Sequence, residues 1–235
     1  MPEDFGFSIY ALCYGDYADL HRRLLDSFRL FAKPHPTDVT IWCNQACAGT
    51  EQLARGLGFA TLCSAENLPK YKVMRDMFSL RPPKYEWILW FDDDSYIEKP
   101  FWYEATKLYI ESRRSQNICY FGQPWFVHHL PGQWEFIKTM PWFKGKPPEL
   151  IQGKPGITFA QGAYWGLRND VRQLLDWPPS DRGLSHNGGD TLLGEAVRQQ
   201  GLPFHKFHRG VKVNAAKRRG HSEAPAGSSN LNARR

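Results

Sequence analysis

EWILWFDDDSYIEKP, residues 86–100, carries the pattern that decides the fold. Five apolar and aromatic residues, Trp87 to Phe91, run directly into three carboxylates, Asp92, Asp93 and Asp94. A short continuous apolar run reads as a strand buried on both faces, as in parallel sheets. Three adjacent negative charges repel one another, so the end of this strand needs a positive partner.

The segments before it alternate in kind. FSIYALCYG (7–15) is a second buried strand, and YADLHRRLLDSFRLFA (17–32) a helix stopped by Pro34 and Pro36. DVTIWCN (38–44) and ATLCS (60–64) are strands. Between them AGTEQLARGLGF (48–59) reads as a helix with Thr50 as its N-cap. PKYKVMRDMFSLRP (69–82) is the helix before the acidic strand. Alternating strand and helix predicts an α/β fold with a mixed, mostly parallel sheet flanked by helices. In such sheets ligands bind beyond the carboxyl ends of the strands, where the three aspartates lie.

The second half is less regular. FWYEATKLYIESRRSQ (101–116) predicts a helix and ICYFGQPW (118–125) a strand. Residues 124–155, rich in Trp, Pro, Gly and Lys, read as long loops with a mobile segment over the site. FAQGAYWGLRNDV (159–171) reads as a strand, a glycine turn, a short strand and the start of a helix. NGGDTLLGEAVRQQGLP (187–203) is a turn and a helix, and residues 204–213 are a strand-like tail. One domain over 1–215 is expected, followed by a basic, Gly/Ser-rich tail over 216–235 expected to be disordered.

The chain has 235 residues and a formal net charge of +6, which favours an anionic partner. It has no apolar run of membrane-spanning length, and its N-terminus does not read as a secretory signal. Five scattered cysteines make neither a zinc site nor a disulfide framework, so a cytoplasmic protein with reduced thiols is expected.

Close carboxylates tolerate one another when a divalent cation lies among them, and oxygen ligands suit Mg²⁺ and Mn²⁺. In an extended backbone Asp92 and Asp94 share one side and Asp93 takes the other. A solvated acidic turn is the plain alternative.

WILWFDDDSYI (87–97) resembles the metal-binding strand of nucleotide-sugar glycosyltransferases with the GT-A fold, most closely the Fringe and β1,3-galactosyltransferase/N-acetylglucosaminyltransferase group. FAQGAYWGLRNDV, NGGDTLLGEAVRQQGLP and LPFHKFH (202–208) are similar to further segments of that group, in the same order, over roughly residues 7–210. The resemblance implies an inverting hexosyltransferase that uses Mn²⁺ or Mg²⁺ and a UDP-sugar or other nucleotide-sugar. It implies metal ligands Asp92, Asp94 and His205, with His208 the competitor. It implies Asp190 as catalytic base, and donor contacts from Lys72, Asp92, Asp93, Gly162 and Ala163. Arg75, one helical turn from Lys72, is added as a donor contact. Asp190 is equally placed to cap its helix, and both roles stay open. The group's second acid before the base is Gly189 here, one of its turn glycines is Ala163, and Trp165 adds bulk on the acceptor side.

The basic stretch from Lys206 to Arg219 either draws donor phosphates or steers a polyanion. Acceptors compatible with this chain are a hydroxylated base in DNA or a bacterial surface glycan. Trp125, Trp134 and Trp142 are candidates for a stacking wall, and His128 and His129 for acceptor contacts. The alternatives are a metal-dependent nuclease or phosphotransferase, which needs a second acidic cluster, and a non-catalytic sugar- or nucleic-acid-binding module.

Overall fold

In the computed structural model, residues 5–128, 133–179 and 188–213 are described. The first half runs β1 (Phe7–Tyr14), α1 (Ala18–Ser27), β2 (Thr37–Asn44), α2 (Ala48–Gly56), β3 (Ala60–Ser64), α3 (Lys70–Leu80) and β4 (Trp87–Asp92), as the alternation predicts. A π-helical turn, Phe28–Ala32, ends α1. β5 (Tyr96–Ile97), α4 (Trp102–Ser112), β6 (Tyr120–His128) and α5 (Gln133–Lys138) follow. The chain then forms β7 (Glu149–Ile151), β8 (Lys154–Arg168), α6 (Asn169–Leu174), α7 (Gly189–Gln199), β9 (Phe204–Lys206) and β10 (Val211–Lys212).

The main sheet has the order β3-β2-β1-β4-β8-β6-β9, with β7 paired to β8, and β5 and β10 form a separate two-stranded ribbon. β1 to β4 are mutually parallel, and β8 runs antiparallel between β4 and β6. The sheet is buried on both faces, which is why its central strands are apolar throughout. Ile88 and Trp90 of β4 join the core under α3 and α7, while Trp87, Leu89 and Phe91 join the core under α1, α2 and α4. Trp165 faces Trp90 across the β4–β8 register, the two rings stacked at 6.0 Å. Trp165 is therefore core, and it does not add bulk on an acceptor side.

Three sequence readings change. Residues 154–168 are one strand, and its glycine turn is a bulge. Between the pairs Gly122–Trp165 and Pro124–Ala160, the single residue Gln123 of β6 faces residues 161–164 of β8. The stretch 124–155 is not simply loops: it includes the end of β6, α5 and β7. Thr50 does not cap α2; Cys47 holds that position, and the Thr50 hydroxyl contacts the His21 ring at 2.7 Å and the Cys47 thiol at 2.9 Å. No helix among the described residues is long and apolar enough to cross a membrane. The expected tail over 216–235 lies outside the described residues, as does His129.

Candidate functional site

The acidic turn after β4 divides as the strand alternation requires. Asp92 continues the Ile88–Trp90 side, and both of its oxygens are engaged. Trp90 Nε1 donates to Oδ1 at 2.9 Å, and Lys70 Nζ donates to Oδ2 at 2.8 Å. Asp93 turns to the opposite side and is 0% exposed. Its Oδ2 accepts from the Tyr14 amide at 3.1 Å and lies 3.0 Å from His21 Nε2. Asp93 thus ties β4 to β1 and α1, and the donor contact expected of it is corrected. Asp94 follows in the turn beyond β4 and is 9% exposed. Burial and the Asp92 charge push its carboxyl up to about 7, against the pull of Lys70 and Arg23.

Lys70 is the centre of the arrangement. It is the first residue of α3 and only 4% exposed. Besides Asp92 it donates to the carbonyl of Gly162 at 2.8 Å. Burial pulls its pKa down, but the charges of Asp92, Asp190 and Asp94 outweigh burial and raise it. One ammonium therefore sits among three carboxylates.

Asp190 lies in the first turn of α7, whose N-cap is Gly188, so the capping role is not taken. Its Oδ1 accepts the Tyr71 hydroxyl proton at 2.8 Å. Burial raises its pKa, while Lys70 and the Tyr71 hydrogen bond moderate the rise. Two glycines make room for it. A Cβ on Gly162 would overlap the Asp190 carboxylate, and a Cβ on Gly189 would overlap the Tyr71 ring. Gly189, where the resembled group has an acid, is thus required by the tyrosine packed against it. The β8 bulge sets the backbone here, so that the Gly162 carbonyl meets Lys70 and its Cα meets Asp190. Ala163 is buried beside it on the same bulge.

Other expected residues are not brought to this place. Lys72 points outward and pairs with Asp76 at 2.6 Å, an i,i+4 surface pair. Arg75 donates to the Pro178 carbonyl and lies 3.5 Å from Asp176. His205 lies on β9, in register with Phe121 of β6, which is itself level with Gly166 of β8 and so with Leu89 of β4. It is three strands from β4, roughly 14 Å across the sheet at about 4.8 Å per strand, and three residues below Asp92. It is not a ligand in common with Asp92 and Asp94. His208 instead lines a groove of about 530 Å³ with Tyr109, Arg113, Lys206 and Arg209. The tryptophans make no wall, since Trp142 is core, Trp134 packs on Phe143, and Trp125 is exposed.

Among the described residues, no group of three or more His, Cys, Asp or Glu side chains forms a metal cage. Asp92 and Asp94 with one lysine instead suit a cation that takes one or two protein carboxylates and fills its shell with water and phosphate oxygens. Glu195, the buried acid on α7, is 0% exposed and is held by Arg198 and Gln199.

No family model and no curated protein matches this chain by sequence. Solved structures match it by fold. The mannosyltransferase PcManGT from Pyrobaculum calidifontis, solved with GDP-Man and Mn²⁺, superposes with a TM-score of 0.62 at 13% identity over 91% of this chain and 58% of that one. TarS from S. aureus superposes with a TM-score of 0.51 at 13% identity over 82% of this chain and 33% of that one. The chain thus spans little more than half of the first and a third of the second. The likeness shows the fold: a Rossmann-like GT-A sheet flanked by helices.

Proposed function

We propose that this protein transfers a sugar from a nucleotide-sugar to a hydroxyl acceptor, with inversion and with help from a divalent cation. The observation that carries the reading is a carboxylate, Asp190, held against Gly162 and Tyr71 within the field of Lys70 and Asp92. The GT-A fold and its position beyond the carboxyl edge of the sheet support it.

Each residue has a task in that chemistry. Asp190 takes the proton of the acceptor hydroxyl as its oxygen attacks the anomeric carbon. The bond from that carbon to the diphosphate breaks on the opposite face, and the electron pair leaves with the diphosphate. Burial raises the basicity of Asp190 above that of an ordinary carboxylate, which suits it to this transfer. Tyr71 and Gly162 fix where its oxygens point. Lys70 holds Asp92 and the Gly162 carbonyl together, and so keeps the acidic turn in register with the base. Asp92 and Asp94 would hold a divalent cation, which would neutralise the leaving diphosphate.

Calorimetry with UDP and with GDP, first in Mn²⁺ and then in EDTA, tests the reading. The expected result is binding of one of them that needs Mn²⁺ and is lost in Asp94→Ala. Equal binding in EDTA, unchanged by Asp94→Ala, would sink it.

A further inference from the structure

Asp94 lies within the field of two cations. Lys70 stands on the α3 side of the sheet, and Arg23 of α1 stands on the other. The Arg23 guanidinium lies over the Tyr96 ring at 4.5 Å, two residues beyond Asp94. Its Nε and Nη2 are closed off from solvent and have no hydrogen-bond partner among the described residues. These two nitrogens form the edge of a guanidinium that grips a carboxylate or phosphate with two parallel hydrogen bonds. Leaving charged donors of this kind unmet is costly, and native proteins rarely do so without a reason. The residue as a whole is half-buried. The unmet edge asks for a further anion.

We propose that Arg23 binds the diphosphate of the ligand that occupies the acidic turn, gripping it through Nε and Nη2 while Tyr96 supports the guanidinium plane. This rests on the nucleotide-sugar reading for the identity of the ligand, but the anion site itself does not. The pattern assigns Arg23 to the phosphates and leaves the nucleoside to other residues.

The probe is inorganic pyrophosphate with Mn²⁺, measured by calorimetry on the full chain, with UDP, GDP and uridine run beside it. Arg23→Gln should weaken pyrophosphate binding roughly 10- to 100-fold, the size expected when a charge-assisted hydrogen bond is lost. It should leave any uridine binding unchanged. Arg23→Lys, which keeps the charge but not the fork, should recover part of the loss, and melting temperatures show whether each variant folds. The inference is overturned if the wild type takes up no pyrophosphate, if folded Arg23→Gln binds it as the wild type does, or if pyrophosphate and uridine weaken together. If pyrophosphate binding depends on Arg23 but neither UDP nor GDP binds, the anion site stands and the nucleotide-sugar reading fails.

Discussion

Replacing Gly162 with alanine puts one methyl group where the Asp190 carboxylate now sits. The farthest carboxyl atom, Oδ1, would be 2.7 Å from the new Cβ, and the other two would be nearer still. Comfortable contact between such atoms is about 3.5 Å. The carboxylate must therefore retreat by roughly 1 Å or more. That retreat displaces the oxygen that accepts the Tyr71 hydroxyl at 2.8 Å. Relief by the backbone is resisted, because the Gly162 carbonyl is held by Lys70. Overpacking of this kind costs about 1–3 kcal/mol. Misplacing a reacting group by 1 Å costs about 100-fold in rate. Gly162→Ala should then retain its fold, melt a few degrees lower, and lose about two orders of magnitude in sugar transfer or donor hydrolysis. Binding of the nucleoside diphosphate should change little, since Asp92 and Asp94 stay in place. Circular dichroism melting and a coupled assay for released nucleoside diphosphate read both effects. A variant with wild-type melting and wild-type turnover would refute the placement of Asp190 against Gly162.

Further outcomes follow from the electrostatics. The Tyr71 hydroxyl lowers the Asp190 pKa, so Tyr71→Phe should move the acid limb of the pH–rate profile to higher pH; a shift to lower pH would contradict the assignment. Asp94 is pushed up from 3.8 to about 7, so the stability it contributes is full in acid and lost as pH rises through 7. Without metal, Asp94→Asn should be more stable than wild type at pH 8 by as much as about 4 kcal/mol, each pKa unit being worth ~1.4 kcal/mol. The gain should vanish toward pH 4. Added Mn²⁺ should raise the melting temperature of the wild type more at pH 8 than at pH 6, and that of Asp94→Asn little at either.

Much of this arrangement was legible in the chain. The apolar run Trp87–Phe91 and the alternation before it foretold the parallel half of the sheet, and strand periodicity foretold that Asp92 parts from Asp93. The lysine of α3 was misread by two positions. Lys72 and Asp76 are four apart, which marks a solvent-facing pair, whereas Tyr71, Met74 and Phe78 mark the buried stripe beside which Lys70 enters. His205 could not be placed, because the position of β9 at the sheet edge is set by long-range pairing with β6. The bulge at 161–164 was read as a turn for the same reason. Its glycine signal is local, but the partner strand that makes it a bulge is about 40 residues earlier in the chain. The need for glycine at 189 is likewise not local, since it comes from the Tyr71 ring packed against it.

The most direct measurement of the central claim is a turnover screen across nucleotide-sugars, with and without Mn²⁺, for the wild type and for Asp190→Asn. Release of a nucleoside diphosphate without added acceptor would reveal the donor. The account predicts metal-dependent turnover of at least one donor, reduced about 100- to 10,000-fold in Asp190→Asn, the range a lost general base covers, with binding of the nucleoside diphosphate retained. Turnover by Asp190→Asn equal to the wild type, or no turnover of any nucleotide-sugar by the wild type, would contradict it.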